Sequence, residues 1–426
     1  MGSALRGLTT RGRGFLAAGV AAAVSSVVLG ESDLLRVAVL LAVLPLLSAA
    51  AVALTRYRLS CRRTLDPDRL QVGTAAQVRL RLENISRLPT GMMLLEDEVP
   101  SVLGTRPRFV LHRLWPHQVS TVTYTVRAEV RGRYPLGPLR VRLTDLFGLC
   151  EVEKAFTNST MLTVTPVVQP LPTARFGGEW TGAGETRQRS AAVHGEDDAA
   201  TREYRHGDDL RKVHWRSTAR VGELMVRREE QPRQSRAAVL LDTRAAAHRG
   251  DGAASSLEWA VSAAASVALH LAHGGYTLRL VTDTGTDLDA TTLRDDGVVL
   301  DHLAEVRPSR RGGLELAAHA LRRSGGSAGE GLLVAVLGLV DPDEITRLAA
   351  VRATGTTCVA ILLDASSWVT LSPERRAAAD AAHDAAAHAL LRSGWHVLPV
   401  RRGTQLPDVW PHAAERGAGI LLGGGG

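Results

Sequence analysis

The chain has 426 residues, 45% of them hydrophobic and 22% charged, which is enough for about two or three domains with cores of their own. That composition excludes a chain that is mainly disordered. The formal net charge is +7, but the arginines are spread through every part of the chain, so the charge does not define a nucleic-acid-binding patch. The three cysteines, Cys61, Cys150 and Cys358, lie far apart and form neither a disulfide framework nor a zinc motif.

Two uncharged apolar runs stand near the start of the chain, at Gly14–Gly30 and Val37–Leu54. Each is close to the ~20 residues that a helix needs to cross a bilayer. A cleaved signal peptide is the alternative for the first run, but a second apolar run follows within a few residues. We therefore expect residues 14–54 to form two transmembrane helices after a cytoplasmic N-terminus at 1–13.

The charges that flank these runs predict their orientation. The connection between the runs is acidic, with Glu31 and Asp33, whereas the outer flanks are basic. The basic residues are Arg6, Arg11 and Arg13 before the first run and Arg56, Arg58, Arg62 and Arg63 after the second. By the positive-inside rule, we expect a two-pass protein of the inner or plasma membrane whose termini and soluble domains are cytoplasmic. The lipid bilayer is thus its first expected partner.

Residues 60–168 alternate apolar and polar side chains with a period of two. Val78, Leu80 and Leu82 are separated by arginines, as in strands that bury one face. Proline and glycine punctuate the runs. We expect a small antiparallel β-sandwich, similar in architecture to an immunoglobulin domain, with no catalytic constellation.

A linker is predicted at 169–194, where proline, glycine, threonine and arginine occur without periodicity. The charged segment follows, which we define as residues 195–236. It holds two acidic clusters, Glu196–Asp198 and Asp208–Asp209, and a basic series that continues to Arg220.

Three interpretations of the charged segment differ in the class of site they predict. A metal-dependent hydrolase would use carboxylates and a histidine as ligands, although the spacings of known metal motifs are missing. A nucleic-acid site would stack bases on Tyr204 and Trp215, but the acids would repel phosphates. The favoured interpretation is a partly buried polar network of ion pairs that docks onto a neighbour. The residues of the hydrolase alternative are Asp197, Asp198, Asp208, Asp209 and His214.

Several fragments of the sequence resemble the signature of a bacterial family, the "domain of unknown function 58" family. Within the charged segment they are Arg202-Glu203-Tyr204, Gly207-Asp208-Asp209, Arg211, His214-Trp215, Ser217–Arg220, Gly222–Leu224 and Val226-Arg227. Upstream they are Gly132–Tyr134, Gly137-Pro138 and Asp145–Leu149. The resemblance extends over the whole chain as helical hairpin, β domain, charged segment and α/β domain.

The resemblance implies a membrane-anchored protein with a domain similar to von Willebrand factor A. It also implies a MoxR-type AAA+ ATPase and a transglutaminase-like membrane protein as expected partners. Nucleic acid is not an expected partner, because the acids of the charged segment would repel phosphates. No residue of the signature has a catalytic role that could be carried over. We expect its residues to serve interdomain docking or partner binding: Arg202, Glu203, Tyr204, Gly207, Asp208, Asp209, Arg211, His214, Trp215 and Arg220.

Residues 237–416 alternate apolar strands with helical stretches, which predicts a doubly wound, mainly parallel sheet. The predicted strands are Ala237–Leu241, Tyr276–Val281, Leu332–Leu337, Thr357–Leu363 and His396–Val400. Ligands of such sheets bind beyond the carboxyl ends of the strands, where Asp242, Asp283 and Asp364 would lie. Residues 417–426 are a glycine-rich tail.

The metal motif that the resemblance implies is degenerate. The D-x-S-x-S element of von Willebrand A domains supplies oxygen ligands to Mg²⁺, but this chain reads Asp242-Thr243-Arg244-Ala245-Ala246. Thr243 points to the other side of the strand from Asp242, and Asp341 is predicted to cap a helix. We expect Asp242 to pair with Arg244 or with an arginine of the charged segment. Only a degenerate Mg²⁺ site, built on Asp242 and Thr243, remains, and no other cofactor is expected.

These observations favour a membrane-anchored scaffold or adaptor that is not an enzyme. It would bind a MoxR-type ATPase and support the assembly or maturation of a membrane or envelope complex. The metal-dependent hydrolase is the alternative.

Overall fold

The computed structural model describes residues 7–54, 58–87, 89–145, 147–174, 201–204, 213–227, 236–288, 295–324, 331–352 and 356–414. The chain divides into two compact units, residues 1–165 and residues 166–426. Residues 169–174, the described part of the predicted linker, therefore belong to the second unit.

The first unit begins with two apolar helices, α1 (Thr10–Leu29) and α2 (Ser32–Leu54). The Thr9 side chain caps α1 by accepting a hydrogen bond from the Gly12 amide, and Gly30 ends it with a positive φ of 69°. Only 17% and 22% of their apolar windows are buried. Helices that cross the core of a soluble domain are mostly buried, so both are long and apolar enough, and exposed enough, to span a bilayer.

The β domain that follows is built from short antiparallel sheets. They have the strand orders β1-β3-β6, β2-β10-β7 and β5-β4-β8-β9. One pair departs from the predicted antiparallel pattern, because β2 runs parallel to β10. The strands are β1 (Leu59–Asp66), β2 (Arg69–Gln71), β3 (Ala75–Asn84), β4 (Met92–Asp97), β5 (Arg108–Leu111), β6 (Val119–Arg127), β7 (Gly132–Leu136), β8 (Leu139–Thr144), β9 (Glu151–Phe156) and β10 (Thr160–Thr165).

Alternating side chains create the core of this domain. Leu80 and Leu82 of β3 are fully buried and pack with Met93 of β4 and Val141 of β8, whereas Arg81 between them faces solvent. These side chains come from two sheets that share one core, and the predicted antiparallel sheets are confirmed.

Two of the upstream signature fragments have structural roles in this unit. The Tyr134 hydroxyl donates to the Val130 carbonyl oxygen at 2.9 Å, as in the tyrosine corners of β-sandwiches. The Asp145 carboxylate accepts from the Leu149 and Cys150 amides at 2.7 and 2.9 Å, which closes the turn before β9. The same turn contacts the residue before α1, since the Thr9 amide donates to the Leu149 carbonyl oxygen at 3.0 Å.

The second unit contains a six-stranded sheet of order β15-β14-β13-β16-β17-β18. Five strands are parallel and the edge strand β15 is antiparallel to β14, so the predicted mainly parallel sheet is confirmed. The strands are β13 (Arg236–Leu241), β14 (Thr277–Thr282), β15 (Asp287–Leu288), β16 (Gly331–Leu337), β17 (Thr356–Leu363) and β18 (His396–Val400).

Helices cover both faces of this sheet. Helices α4, α5 and α9 contribute to the core on one face, and α6, α7 and α8 to the core on the other. They are α4 (Ser256–His273), α5 (Asp296–Glu305), α6 (Glu315–Ser324), α7 (Pro342–Ala349), α8 (Pro373–Arg392) and α9 (Leu406–Val409), numbered after α3 (Trp215–Val221) of the charged segment.

The chain from Pro166 to Ala174 packs against this α/β domain rather than forming a free linker. The Gln169 amide donates to the Ser266 hydroxyl of α4 at 2.9 Å, and the Leu406 amide donates to the Gln169 side chain at 3.2 Å. Val168 and Leu171 pack on the core beneath α4. The rest of the predicted linker lies outside the described residues.

Candidate functional site: the carboxyl edge of the α/β sheet

Three aspartates lie just beyond the carboxyl ends of β13, β14 and β17, as predicted. Asp242, Asp283 and Asp364 are each no more than 1% exposed. The strand order reverses direction between β13 and β16, which is where open α/β sheets bind ligands. A cation could bind there only if oxygen atoms from these residues converged on one position.

The Asp242 carboxylate is fully engaged by Arg244. Its Oδ1 accepts from Arg244 Nε and its Oδ2 from Arg244 Nη2, both at 2.9 Å. The Gly338 amide donates to the same Oδ2 at 3.3 Å. This paired geometry is the strong form of an arginine–carboxylate interaction, and it confirms one of the two pairings that the sequence predicted for Asp242.

Arg244 in turn bridges two carboxylates. Its Nη1 forms an ion pair with Glu344, and its Nη2 also donates to the Leu339 carbonyl oxygen at 3.0 Å. The Arg244 side chain is only 4% exposed. The guanidinium is therefore the counter-charge that Asp242 and Glu344 share inside the protein.

A backbone contact also closes the position after β16. A Cβ atom on Gly338 would lie 2.4 Å from the Ala247 carbonyl oxygen, so no residue larger than glycine fits without a backbone shift. The Leu339 amide donates to that same oxygen at 2.9 Å. A steric clash therefore excludes an acidic side chain at position 338, where it could have served as a metal ligand at the end of β16. Asp341 caps α7 together with Glu344 in a capping box, which confirms its predicted role.

Thr243 turns away from Asp242 and contacts Asp283. The Thr243 amide donates to Asp283 Oδ1 at 2.9 Å, and its hydroxyl donates to the same atom. Asp283 Oδ2 is buried without a hydrogen-bond partner among the described residues. Asp242 and Thr243 therefore do not converge on one cation, and the residues present do not fit a Mg²⁺ ion.

A buried histidine lies behind Asp242. His248 Nε2 is 2.8 Å from the Asp242 carbonyl oxygen, and its Nδ1 is 3.0 Å from the Ser256 hydroxyl. Since the carbonyl accepts a proton only from Nε2–H, Nδ1 is the acceptor for Ser256. Burial lowers the pKa of His248 below its usual value, which favours this neutral form.

The described part of the charged segment forms a small ribbon and helix. Strands β11 (Thr201–Glu203) and β12 (Met225–Arg227) pair antiparallel, and α3 lies between them in sequence. His214 caps α3 through Nδ1, which accepts from the Ser217 amide at 3.3 Å. The Tyr204 and His214 amides donate to carbonyl oxygens of residues 224 and 225, at 2.8 Å each.

Trp215 departs from the expected partly buried network. Its side chain is 69% exposed, and Val221 and Leu224, which follow it in the chain, are 58% and 40% exposed. Tyr204 and His214 are half-buried, and Arg220 is exposed. Of the remaining predicted docking residues, Arg202 and Glu203 lie on β11. Gly207, Asp208, Asp209 and Arg211 lie outside the described residues, as do Asp197 and Asp198 of the hydrolase alternative.

No group of three or more His, Cys, Asp or Glu side chains in the described ranges could hold a metal ion. Sequence reasoning missed Glu344, Gly338 and His248. Glu344 had a signal, because an acid three residues after the capping Asp341 is a capping box, but nothing in the sequence indicated its second contact with Arg244.

The fold and this closed crevice define the class of protein: an apolar helix pair, an antiparallel β domain and a parallel α/β domain whose ligand edge is filled by its own arginine. Residues 200–367 match the family described as "Protein of unknown function DUF58", so this region of the chain is similar to that family. The chain is also similar to the uncharacterized protein YeaD of Bacillus subtilis (strain 168), with 26% identity over 194 residues. That similarity covers 42% of this chain and 46% of YeaD, so the chain spans about half the length of this relative.

Similarities to solved structures are weak. A CARDB domain from Pyrococcus furiosus is 13% identical, covers 25% of this chain and is itself covered to 93%, at a TM-score of 0.19. A β-glucosidase from Listeria innocua is 14% identical, covers 26% of this chain and is itself covered to 16%, at a TM-score of 0.16. Scores this low carry no argument about fold or function.

Proposed function

We propose that this chain is a non-enzymatic scaffold that α1 and α2 anchor in the cell membrane, with its soluble domains in the cytoplasm. Its α/β domain, similar to von Willebrand factor A, binds a MoxR-type AAA+ ATPase. The complex supports assembly or maturation of a membrane or envelope complex, and a transglutaminase-like membrane protein is a further partner.

The observation that carries this proposal is the Arg244 guanidinium in the crevice of the sheet. In an α/β domain that acts through a bound cation, an acidic partner completes the coordination of that cation. Here Asp242 and Glu344 are already paired with Arg244. The α/β domain therefore does not bind its partner through a shared cation, and the partner binds to side chains on the protein surface instead.

The charged segment offers such a surface. Trp215, Val221 and Leu224 expose apolar side chains beside the exposed Arg216 and Arg220. Exposed aromatic and arginine side chains are typical of the residues that contribute most to protein interfaces. An ATPase with an acidic, partly apolar docking face fits this chemistry.

The test is retention of a MoxR-type ATPase from the same genome on the full-length chain in detergent with ATP present. We expect Trp215→Ala to lose most of the retained ATPase, because the truncation removes the largest exposed apolar group of the segment. Val110→Ala is the matched control, since Val110 is a 56% exposed apolar side chain of the other unit. Equal retention by the two variants, or no retention by the wild type, would contradict the proposal.

Metal analysis separates the scaffold from the hydrolase alternative. The purified chain is expected to bind no Mg²⁺ or Mn²⁺ by titration. A stoichiometric divalent ion that is lost in Asp208→Ala would favour the hydrolase instead.

A further inference from the structure

One end of the β domain lies next to the helix pair. The Glu151 amide donates to the Gly7 carbonyl oxygen at 2.7 Å, just before α1 begins. The Ile85 amide donates to the Arg58 carbonyl oxygen at 2.8 Å, four residues after α2 ends at Leu54. The chain therefore enters α1 and leaves α2 at the same end of the domain.

Strand pairing places three connections at that end. Asn84 at the end of β3 pairs with Leu59 at the start of β1, so the β3–β4 connection lies there. Met92 at the start of β4 pairs with Thr144 at the end of β8, which adds the β8–β9 turn. Since β5 runs antiparallel to β4, the β5–β6 connection also reaches this end.

Each of these connections exposes a large apolar side chain. Ile85 is 49% exposed, Trp115 58% and Phe147 61%, and Met92 beside them is 55% exposed. We call these four residues the rim. In the described part of the connections at the opposite end, Val102 is the only exposed large hydrophobic side chain. Apolar exposure is therefore concentrated where the helices attach.

Basic side chains surround the rim. They are exposed and belong to the helix flanks or to the same connections: Arg11, Arg13, Arg58, Arg87 and Arg113. Arg113 lies over the Trp115 ring, 5.9 Å from its centroid. The acids nearby are Glu83 and Glu151, both half-buried, and Asp145, whose carboxylate is engaged by the turn. The exposed charge at this end is positive.

We propose that the rim is a membrane-contact surface that lies in the headgroup region of an anionic bilayer. Aromatic side chains favour this depth because their apolar rings meet the acyl boundary while polar groups stay in water, and arginines beside them attract anionic headgroups. The rim thereby fixes the β domain against the membrane instead of leaving it on a flexible tether. This inference rests on the proposed membrane anchor.

The test places single fluorescent labels on the full-length chain in nanodiscs of phosphatidylcholine and phosphatidylglycerol that contain nitroxide lipids. The labelled variants are Phe147→Cys and Trp115→Cys at the rim, Val102→Cys at the opposite end and Val27→Cys within α1, whose side chain is 81% exposed. The native cysteines take up little of the fluorescent label, because Cys150 and Cys358 are buried and Cys61 is half-buried. Labelling of the wild-type chain measures this background.

We expect a headgroup nitroxide to quench the labels at 147 and 115 severalfold more than the label at 102. A mid-chain nitroxide should quench the label at 27. If the label at 27 is not quenched, the membrane anchor itself is wrong. If it is quenched while the labels at 147 and 115 match the one at 102, the anchor stands and the rim proposal is overturned.

A second arm tests the headgroup charge. Omission of phosphatidylglycerol, or the double change Arg87→Gln and Arg113→Gln, should reduce quenching at 147 without changing it at 27. Equal quenching at 147 in both lipid mixtures would overturn the preference for anionic lipid.

Discussion

The carboxyl edge of the α/β sheet and the rim of the β domain arrange their side chains in opposite ways. At the sheet edge, Asp242, Arg244 and Glu344 are all at most 4% exposed and satisfy one another. At the rim, Phe147 and Trp115 are more than half exposed and few polar groups compete with them.

This contrast indicates where the molecule can bind a partner. A dense group of acids, bases and a histidine looks like a reactive site, but charged groups that are already paired with one another have little left to offer a ligand. Exposed aromatic and basic groups offer both contact area and charge, although no catalytic chemistry. Substitutions that disrupt either region test this contrast.

The largest effect is expected from Arg244→Ala. It leaves the carboxylates of Asp242 and Glu344 buried without a counter-charge, which costs about 3–5 kcal/mol of the free energy of unfolding. Denaturant unfolding of the full-length chain in detergent measures the loss. Arg402→Ala is the matched control, since Arg402 is exposed in the same domain. Similar losses in the two variants would show that Arg244 is not the internal cation.

The next effect concerns the junction between α1 and the β domain. In Gly12→Ala the new Cβ would lie 2.2 Å from the Leu149 carbonyl oxygen, so the helix and the turn must separate, at a cost of about 1–3 kcal/mol. Gly14→Ala is the control, because a Cβ at residue 14 meets nothing within 4 Å.

Hydrogen exchange over residues 145–151 reports this separation directly. We expect faster exchange in Gly12→Ala than in Gly14→Ala, together with weaker quenching of a label at 147. Unchanged exchange in both variants would mean that the turn does not hold the helix.

Local and periodic features were predictable from the sequence. The apolar runs predicted both helices, the alternation in β3 predicted its buried face, and the order of strands and helices predicted the parallel sheet. The pairing of Asp242 with Arg244 was also predictable, since the two residues are neighbours on one loop.

Features that depend on which loops meet in space were not predictable. The contact of Glu344 with Arg244 joins residues from two separate strand ends, and the need for glycine at 338 follows from a carbonyl oxygen of a distant turn. Trp215 was expected inside a polar network because charges surround it in sequence, yet it is exposed on a short helix. Sequence density does not determine which side of a helix faces solvent.

The smallest effect is the pH dependence of the sheet edge. Burial lowers the pKa of His248, so the unfolded chain binds its proton more readily than the folded one. The contribution of neutral His248 to the free energy of unfolding is therefore complete above the pKa of the unfolded chain, 6.5. It is lost as the pH falls from 6.5 toward the lowered pKa of the folded chain. One such histidine contributes at most about 1.4 kcal/mol per pH unit.

The variant His248→Gln isolates the contribution of His248 to the pH dependence of the free energy of unfolding, because glutamine can still donate to the Asp242 carbonyl oxygen but does not titrate. His270, His302 and His383 also have pKa values lowered by burial, so the wild-type free energy of unfolding should fall below pH 6.5 more steeply than one histidine allows. The slope should be shallower in His248→Gln. Parallel slopes in the variant and the wild type would mean that protons reach His248 in the folded state, and that the sheet edge is more open to water than the closed crevice described above.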